Sequence, residues 1–264
     1  MSKLKTGFLQ VIVKLSKALF SFILITPAVW GDVHLSQSED FTQEGAGEYC
    51  RSLGSGWHLM SIEEIYHLPK TTPFNPEHSY WSSDQTAADN AEIGTGSQGD
   101  GGITPMLGYS FYPKERNITL SPGWKRISAA CTDAIKPKRI RDYRITPEGI
   151  SDPYSGITWL PLDATDKRSK YTYDDAKEMC GNLTLYGRSW RLPTTDELYG
   201  IVDYSFTRPT IDMKYFGVMM QRYYWTSDSL NDKEAYVVGF KLGGIATAPK
   251  KESVHVRCVS EEIQ

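Results

Sequence analysis

The residues of this sequence with the most specific chemistry are its four cysteines, Cys50, Cys131, Cys180 and Cys258. They repeat in spacing, 81 residues within the first pair and 78 within the second. No two stand at the short spacing a zinc site needs, and the five histidines are scattered. An even number of cysteines in an exported chain reads as disulfides. Three pairings are possible, and the repeated spacing favours Cys50–Cys131 and Cys180–Cys258. No metal site and no cofactor are expected.

Two aromatic runs ending in a carboxylate come next. Tyr80-Trp81-Ser82-Ser83-Asp84 and Tyr224-Trp225-Thr226-Ser227-Asp228 agree at four of five positions. As a binding site, Trp81 or Trp225 would stack on a sugar while the hydroxyls and Asp84 or Asp228 hold its oxygens. The competing role carries more weight: a large aromatic recurring at matching positions of a repeat behaves as a core plug. A third candidate is basic. Lys136, Lys138, Arg139, Arg141 and Arg144 fall within nine residues of an otherwise acidic chain. That density suits a sulfated glycan or an anionic headgroup, and equally a solvated linker. Lys125, Arg126, Lys250, Lys251 and Arg257 would enlarge the patch if the last strands of both halves face it. Asp89, Glu92 and Asp100, in the Gly-rich stretch 85–108, fit no calcium-loop register.

The elements that must position these residues also come in two copies. Trp190-Arg191-Leu192-Pro193-Thr194-Thr195-Asp196-Glu197-Leu198-Tyr199 has a weaker counterpart in Trp57-His58-Leu59-Met60-Ser61-Ile62-Glu63-Glu64-Ile65-Tyr66. Each predicts a short strand, a turn and a helix opened by a capping box, Thr194 with Glu197 and Ser61 with Glu64. Leu198, Ile201 and Val202, or Ile65 and Leu68, then give the helix one buried stripe. An earlier helix carries Cys50 from about Gly47 to Leu53; its counterpart starts at Thr172 and carries Cys180. Residues 32–44 read as irregular. Strands are expected over 109–112, 118–120 and 127–131, and again over 236–242, 245–248 and 254–259, after a hairpin near 143–160. The period is far above that of a solenoid, so the chain divides into two small domains, 32–133 and 143–264, joined by the basic junction 134–142. A bridge from first helix to last strand closes a loop worth about 4 kcal/mol in the chain-entropy model.

Residues 1–31 stand apart. Lys3, Lys5, Lys14 and Lys17 precede an apolar run from Ala18 to Trp30, the pattern of a secretory signal, or of an N-terminal anchor if it stays uncleaved. Its removal from the 264-residue chain leaves 25 basic against 32 acidic residues, a net of −7. Nucleic acid is excluded as the main partner, since phosphate binding needs a broad basic face. The expected location is periplasmic, outer-surface or secreted, with membrane contact only through the leader.

The ordered motifs of the second copy resemble the Lcl C-terminal domain family. They are Ile150-Ser151-Asp152-Pro153 with Gly156-Ile157-Thr158-Trp159, Cys180-Gly181-Asn182-Leu183, Trp190 to Leu198, Tyr224 to Ser227, and Val256-Arg257-Cys258-Val259. That family ends bacterial collagen-like adhesins and belongs to the C-type-lectin-like fold group. The first copy is similar to the adhesion domains of intimin- and invasin-type proteins. The resemblance implies an α+β chain of two tandem C-type-lectin-like domains, each with two helices and a small twisted antiparallel sheet. It also implies extracytoplasmic binding of glycans or host surfaces. No collagen-like Gly-X-Y run is present, nor the Glu-Pro-Asn and Trp-Asn-Asp motifs of calcium-dependent lectins. The helix-start motif is similar to that of formylglycine-generating enzymes too, but these need free cysteines, and all four here are assigned to bridges. No nucleophile elbow or phosphate loop appears. The expectation is a non-catalytic recognition protein for a glycan, possibly sulfated, or a surface protein. Its ligand residues would come from Lys136, Lys138, Arg139, Arg141, Trp81, Asp84, Trp225 and Asp228; the alternative is a subunit of a pilus or envelope assembly.

Overall fold

The computed structural model describes residues 32–87, 106–134, 141–161, 169–206, 208–217, 219 and 222–261. The leader, most of the Gly-rich stretch, and Lys136, Lys138 and Arg139 of the junction lie outside them. Side-chain caps start the helices of the first half. Strand β1 (Val33–Leu35) leads to helix α1 (Gln43–Ser52), where the Thr42 hydroxyl accepts from the Gly45 N–H at 3.1 Å. Helix α1 thus begins ahead of the expected Gly47, because Gln43 is a buried brace. Its amide donates to the carbonyls of Ser82 at 2.7 Å and Asp84 at 2.9 Å. Strand β2 (His58–Leu59) precedes α2 (Ile62–His67), opened by the Ser61–Glu64 capping box. Strands β3 (Tyr80–Ala87), β4 (Met106–Tyr112) and β5 (Asn117–Pro122) form an antiparallel meander. Strand β6 (Ser128–Thr132) returns parallel to β3 and antiparallel to β1 and β2. Residues 33–35, read from sequence as irregular, are a strand because β6 supplies the partner.

The second half repeats the plan with additions. Strands β7 (Arg144–Thr146), β8 (Gly149–Asp152) and β9 (Ile157–Trp159) form the expected hairpin plus one further strand. Gly149 has no substitute there: its φ is +147° and a Cβ would lie 2.1 Å from the Trp159 carbonyl oxygen. Strand β10 (Lys170–Tyr171) leads into α3 (Tyr173–Gly181), capped by Thr172, and α4 (Thr195–Gly200) carries the Thr194–Glu197 box. A short helix α5 (Met213–Phe216) has no counterpart among the described residues of the first half. Strands β11 (Tyr223–Ser229), β12 (Glu234–Gly239) and β13 (Gly244–Pro249) repeat the meander. Strand β14 (Val254–His255) runs parallel to β11, and β15 (Val259–Glu261) pairs with β9.

Both disulfides form as the repeat favours: Cys50–Cys131 ties α1 to β6, and Cys180–Cys258 ties α3 to the segment between β14 and β15. Each sits in an apolar cluster with a fully buried tryptophan, Trp81 in the first and Trp225, beside Trp190, in the second. The fold is α+β, but the sheets depart from expectation in two ways. They are mixed, with parallel pairs β3–β6 and β11–β14. And the halves share one sheet, ordered β1-β6-β3-β4-β5-β13-β12-β11-β14-β10, because Ile118 of β5 pairs antiparallel with Ile245 of β13.

Candidate functional site

The sequence-derived candidates are architectural wherever they are described. Trp81 and Trp225 are fully buried, and each indole N–H donates at 2.8 Å to a carbonyl, of Phe41 and Tyr171 respectively. Such a ring has no face left for a sugar, which corrects the stacking expectation. Asp84 accepts from the Ile62 N–H and Asp228 from the Thr195 N–H, both at 2.6 Å, so each carboxylate ties the first strand of its own meander to a helix start. Arg141 joins the halves. It pairs with Glu63 at 3.2 Å and Asp203 at 3.1 Å, and donates to the Val202 carbonyl at 2.7 Å. Of the wider patch, Lys125 donates to the Tyr112 hydroxyl, Arg126 to the Asp40 carbonyl, and Arg257 is buried. Burial lowers the Arg257 pKa to about 10. Lys250 and Lys251 line a separate hollow with Asp174, Asp232 and Glu234.

Tyrosines pin the seam between the halves. The Tyr66 hydroxyl donates to Asp196 at 2.7 Å and its ring lies 4.5 Å from that of Tyr199. Tyr199 and Tyr204 share a hydroxyl contact of 3.1 Å, and Tyr204 and Tyr109 donate at 2.6 Å to the carbonyls of Gly243 and Leu242. Burial raises the pKa of Tyr66, Tyr199 and Tyr204, the Asp196 contact adding to it at Tyr66, so all three stay neutral donors.

Across this seam runs a groove of about 1140 Å³. The first half supplies Tyr109, Ile118, Thr119 and Leu120; the rest comes from β10, the segment around α5, and β11 to β14. Among the described residues its charged lining is Lys170, Arg208, Arg222 and Lys241 against Glu252. Such a surface attracts anions, in contrast to the acidic chain around it. Tyr223 is half exposed in the groove and pairs across the sheet with Gly239. A Cβ at residue 239 would lie 2.8 Å from Tyr223 Cε1, so the missing side chain lets the phenol lie against the strand. A ring held this way offers its outer face to the apolar side of a sugar, while guanidinium and ammonium groups hold carboxylate or sulfate oxygens.

Sequence reasoning missed this site. Its residues come from separate segments and none forms a basic run; the local signal is Gly239, which ends the apolar strand β12.

No curated protein matches the chain. Residues 148–260 match the model of the Lcl C-terminal domain, a range that runs from β8 into β15 and takes in the stapled helix and the Trp190 helix start of the second half. The chain therefore carries, over those residues, a domain of the Lcl C-terminal domain family.

Proposed function

We propose that this is an exported, non-catalytic recognition protein that binds an anionic glycan along the groove across its two halves. The observation that carries the reading is the lining: among the described residues, four cations, one carboxylate and a ring packed against Gly239. A linear polyanion takes up such a surface, its charges meeting the cations and its sugar faces the ring. Each half is, in this reading, a C-type-lectin-like unit; the repeated staple, paired helix caps and meander support it. The two units act as one binding surface because β5 and β13 join their sheets.

The test is calorimetric titration of the chain with size-matched dextran sulfate and neutral dextran over a salt series. Binding of the sulfated chain that weakens with salt, and that falls at least tenfold in Lys170→Glu/Arg222→Glu, supports the reading. No affinity for either polymer removes it, and co-purification with envelope proteins would then favour an assembly subunit.

A further inference from the structure

The floor of the groove holds a histidine that the reading above does not use. His255 is 3% exposed and lines the groove; its ring has a backbone contact with Ser169, but neither nitrogen reaches full hydrogen-bond geometry with any group. It lies directly opposite Lys170 on β10 and opposite Tyr224 on β11, whose ring is 5.4 Å away at 33°. Arg222 precedes β11, and Glu252, the one carboxylate among the described residues of the lining, lies three residues before His255. Arg208 and Lys241 complete the charged groups among those residues. In the first half the corresponding place is Ser128, which, like His255, pairs in parallel with the residue before the core tryptophan.

Unsatisfied polar atoms behind a cationic surface are costly unless a ligand meets them. We propose that His255, with Lys170 and Arg222, forms an anion subsite for a sulfate or carboxylate of the glycan. The imidazolium donates the third hydrogen bond, so that binding takes up a proton. This rests on the groove reading and assigns it a recognition residue.

The electrostatics agree in sign. Burial lowers the His255 pKa from its ordinary 6.5, and the Lys170 and Arg222 charges lower it further, against a backbone contact at Ser169 that raises it. The empty groove therefore keeps the ring neutral at pH 7. An anion between Lys170 and Arg222 offsets both charges and raises the pKa, so affinity grows as pH falls through the bound-state value towards the free one.

The experiment is titration with size-matched dextran sulfate from pH 8 to pH 5 at constant ionic strength, on the unaltered chain and on His255→Gln. Affinity is expected to rise about tenfold across that range in the unaltered chain and to stay flat in His255→Gln. Because a buried substitution can disturb folding, ring-nitrogen NMR of the unaltered chain is the second measurement: dextran sulfate must raise the His255 titration midpoint. Binding that is salt-sensitive but pH-independent, or a midpoint that does not move, overturns the subsite and leaves the groove reading intact. No binding at any pH overturns both.

Discussion

Tyr66 and Tyr199 each stand five residues after the cap of a helix, Ser61 for α2 and Thr194 for α4, and their rings meet at 4.5 Å. Equivalent residues of a repeat are thus in contact with each other. Ile118 and Ile245 do the same in the sheet, where they are also equivalent: each faces the preceding strand, at Phe111 and Val238, in the same register. Like meeting like is the signature of an isologous, two-fold interface, here built inside one chain.

Cutting the seam's polar tie should weaken the whole molecule. Tyr66→Phe removes the hydroxyl that reaches Asp196 and should cost about 1 kcal/mol. Tyr66→Ala also removes the ring contact and should cost about 3–5 kcal/mol. Denaturant midpoints of both variants check this; equal midpoints for all three proteins would show that the seam adds nothing to stability.

Among the differences between the two copies of the helix start, the one between Arg191 and His58 can be repaired. Arg191 holds both oxygens of Glu197 at 2.8 Å, whereas His58 reaches Glu64 only at 3.8 Å and leaves Glu64 Oε1 without a hydrogen bond. His58→Arg should raise stability by about 1 kcal/mol, read as a higher thermal midpoint. A lower midpoint would mean that the first copy cannot seat the longer fork.

Acid should act through Glu197. Burial raises its pKa, but the Arg191 hydrogen bond, the Thr194 backbone and the Arg191 charge outweigh it, and the value falls below the ordinary 4.5. A depressed carboxylate stabilises the fold above its unfolded pKa, and that share is lost as pH drops through the folded value. Glu197→Gln should therefore be less stable than the unaltered chain at pH 7, with the gap closing below about pH 4. A gap that persists unchanged at pH 3 would assign the loss to packing.

Trp225→Ala should destabilise by about 3–5 kcal/mol, because it empties the core of the second half. Any loss of glycan affinity should follow the unfolded fraction, as judged by circular dichroism on the same samples. Weaker binding by a fully folded Trp225→Ala would return the tryptophan to the binding site.

Tyr223 should behave in the opposite way. Tyr223→Ala should leave the thermal midpoint within a degree or two, since half the side chain is already in water, and weaken dextran sulfate binding about three- to tenfold. Gly239→Ala should also weaken binding, by lifting the ring from the strand. Unchanged affinity in both variants would remove the ring from the site.

The sequence alone determined the local and the repeated. Ser61, Thr172 and Thr194 cap helices because a hydroxyl and the N–H three residues on are neighbours whatever the rest of the chain does. The cysteine pairing was legible because the chain repeats, and the weight given to Trp81 and Trp225 as core plugs came from the same repetition. Only the tertiary structure decided how the halves meet. Sheet edges join through backbone groups that every residue carries, so nothing in Ile118 or Ile245 marks them as partners. The groove follows from that join: Thr119, Lys170, Arg222 and His255 are ordinary residues far apart in sequence until β5 and β13 pair and β10 and β14 close beside β11. Capping and core patterning are contacts over a few residues, which a sequence displays; a site assembled across a seam is a property of distances, which it does not.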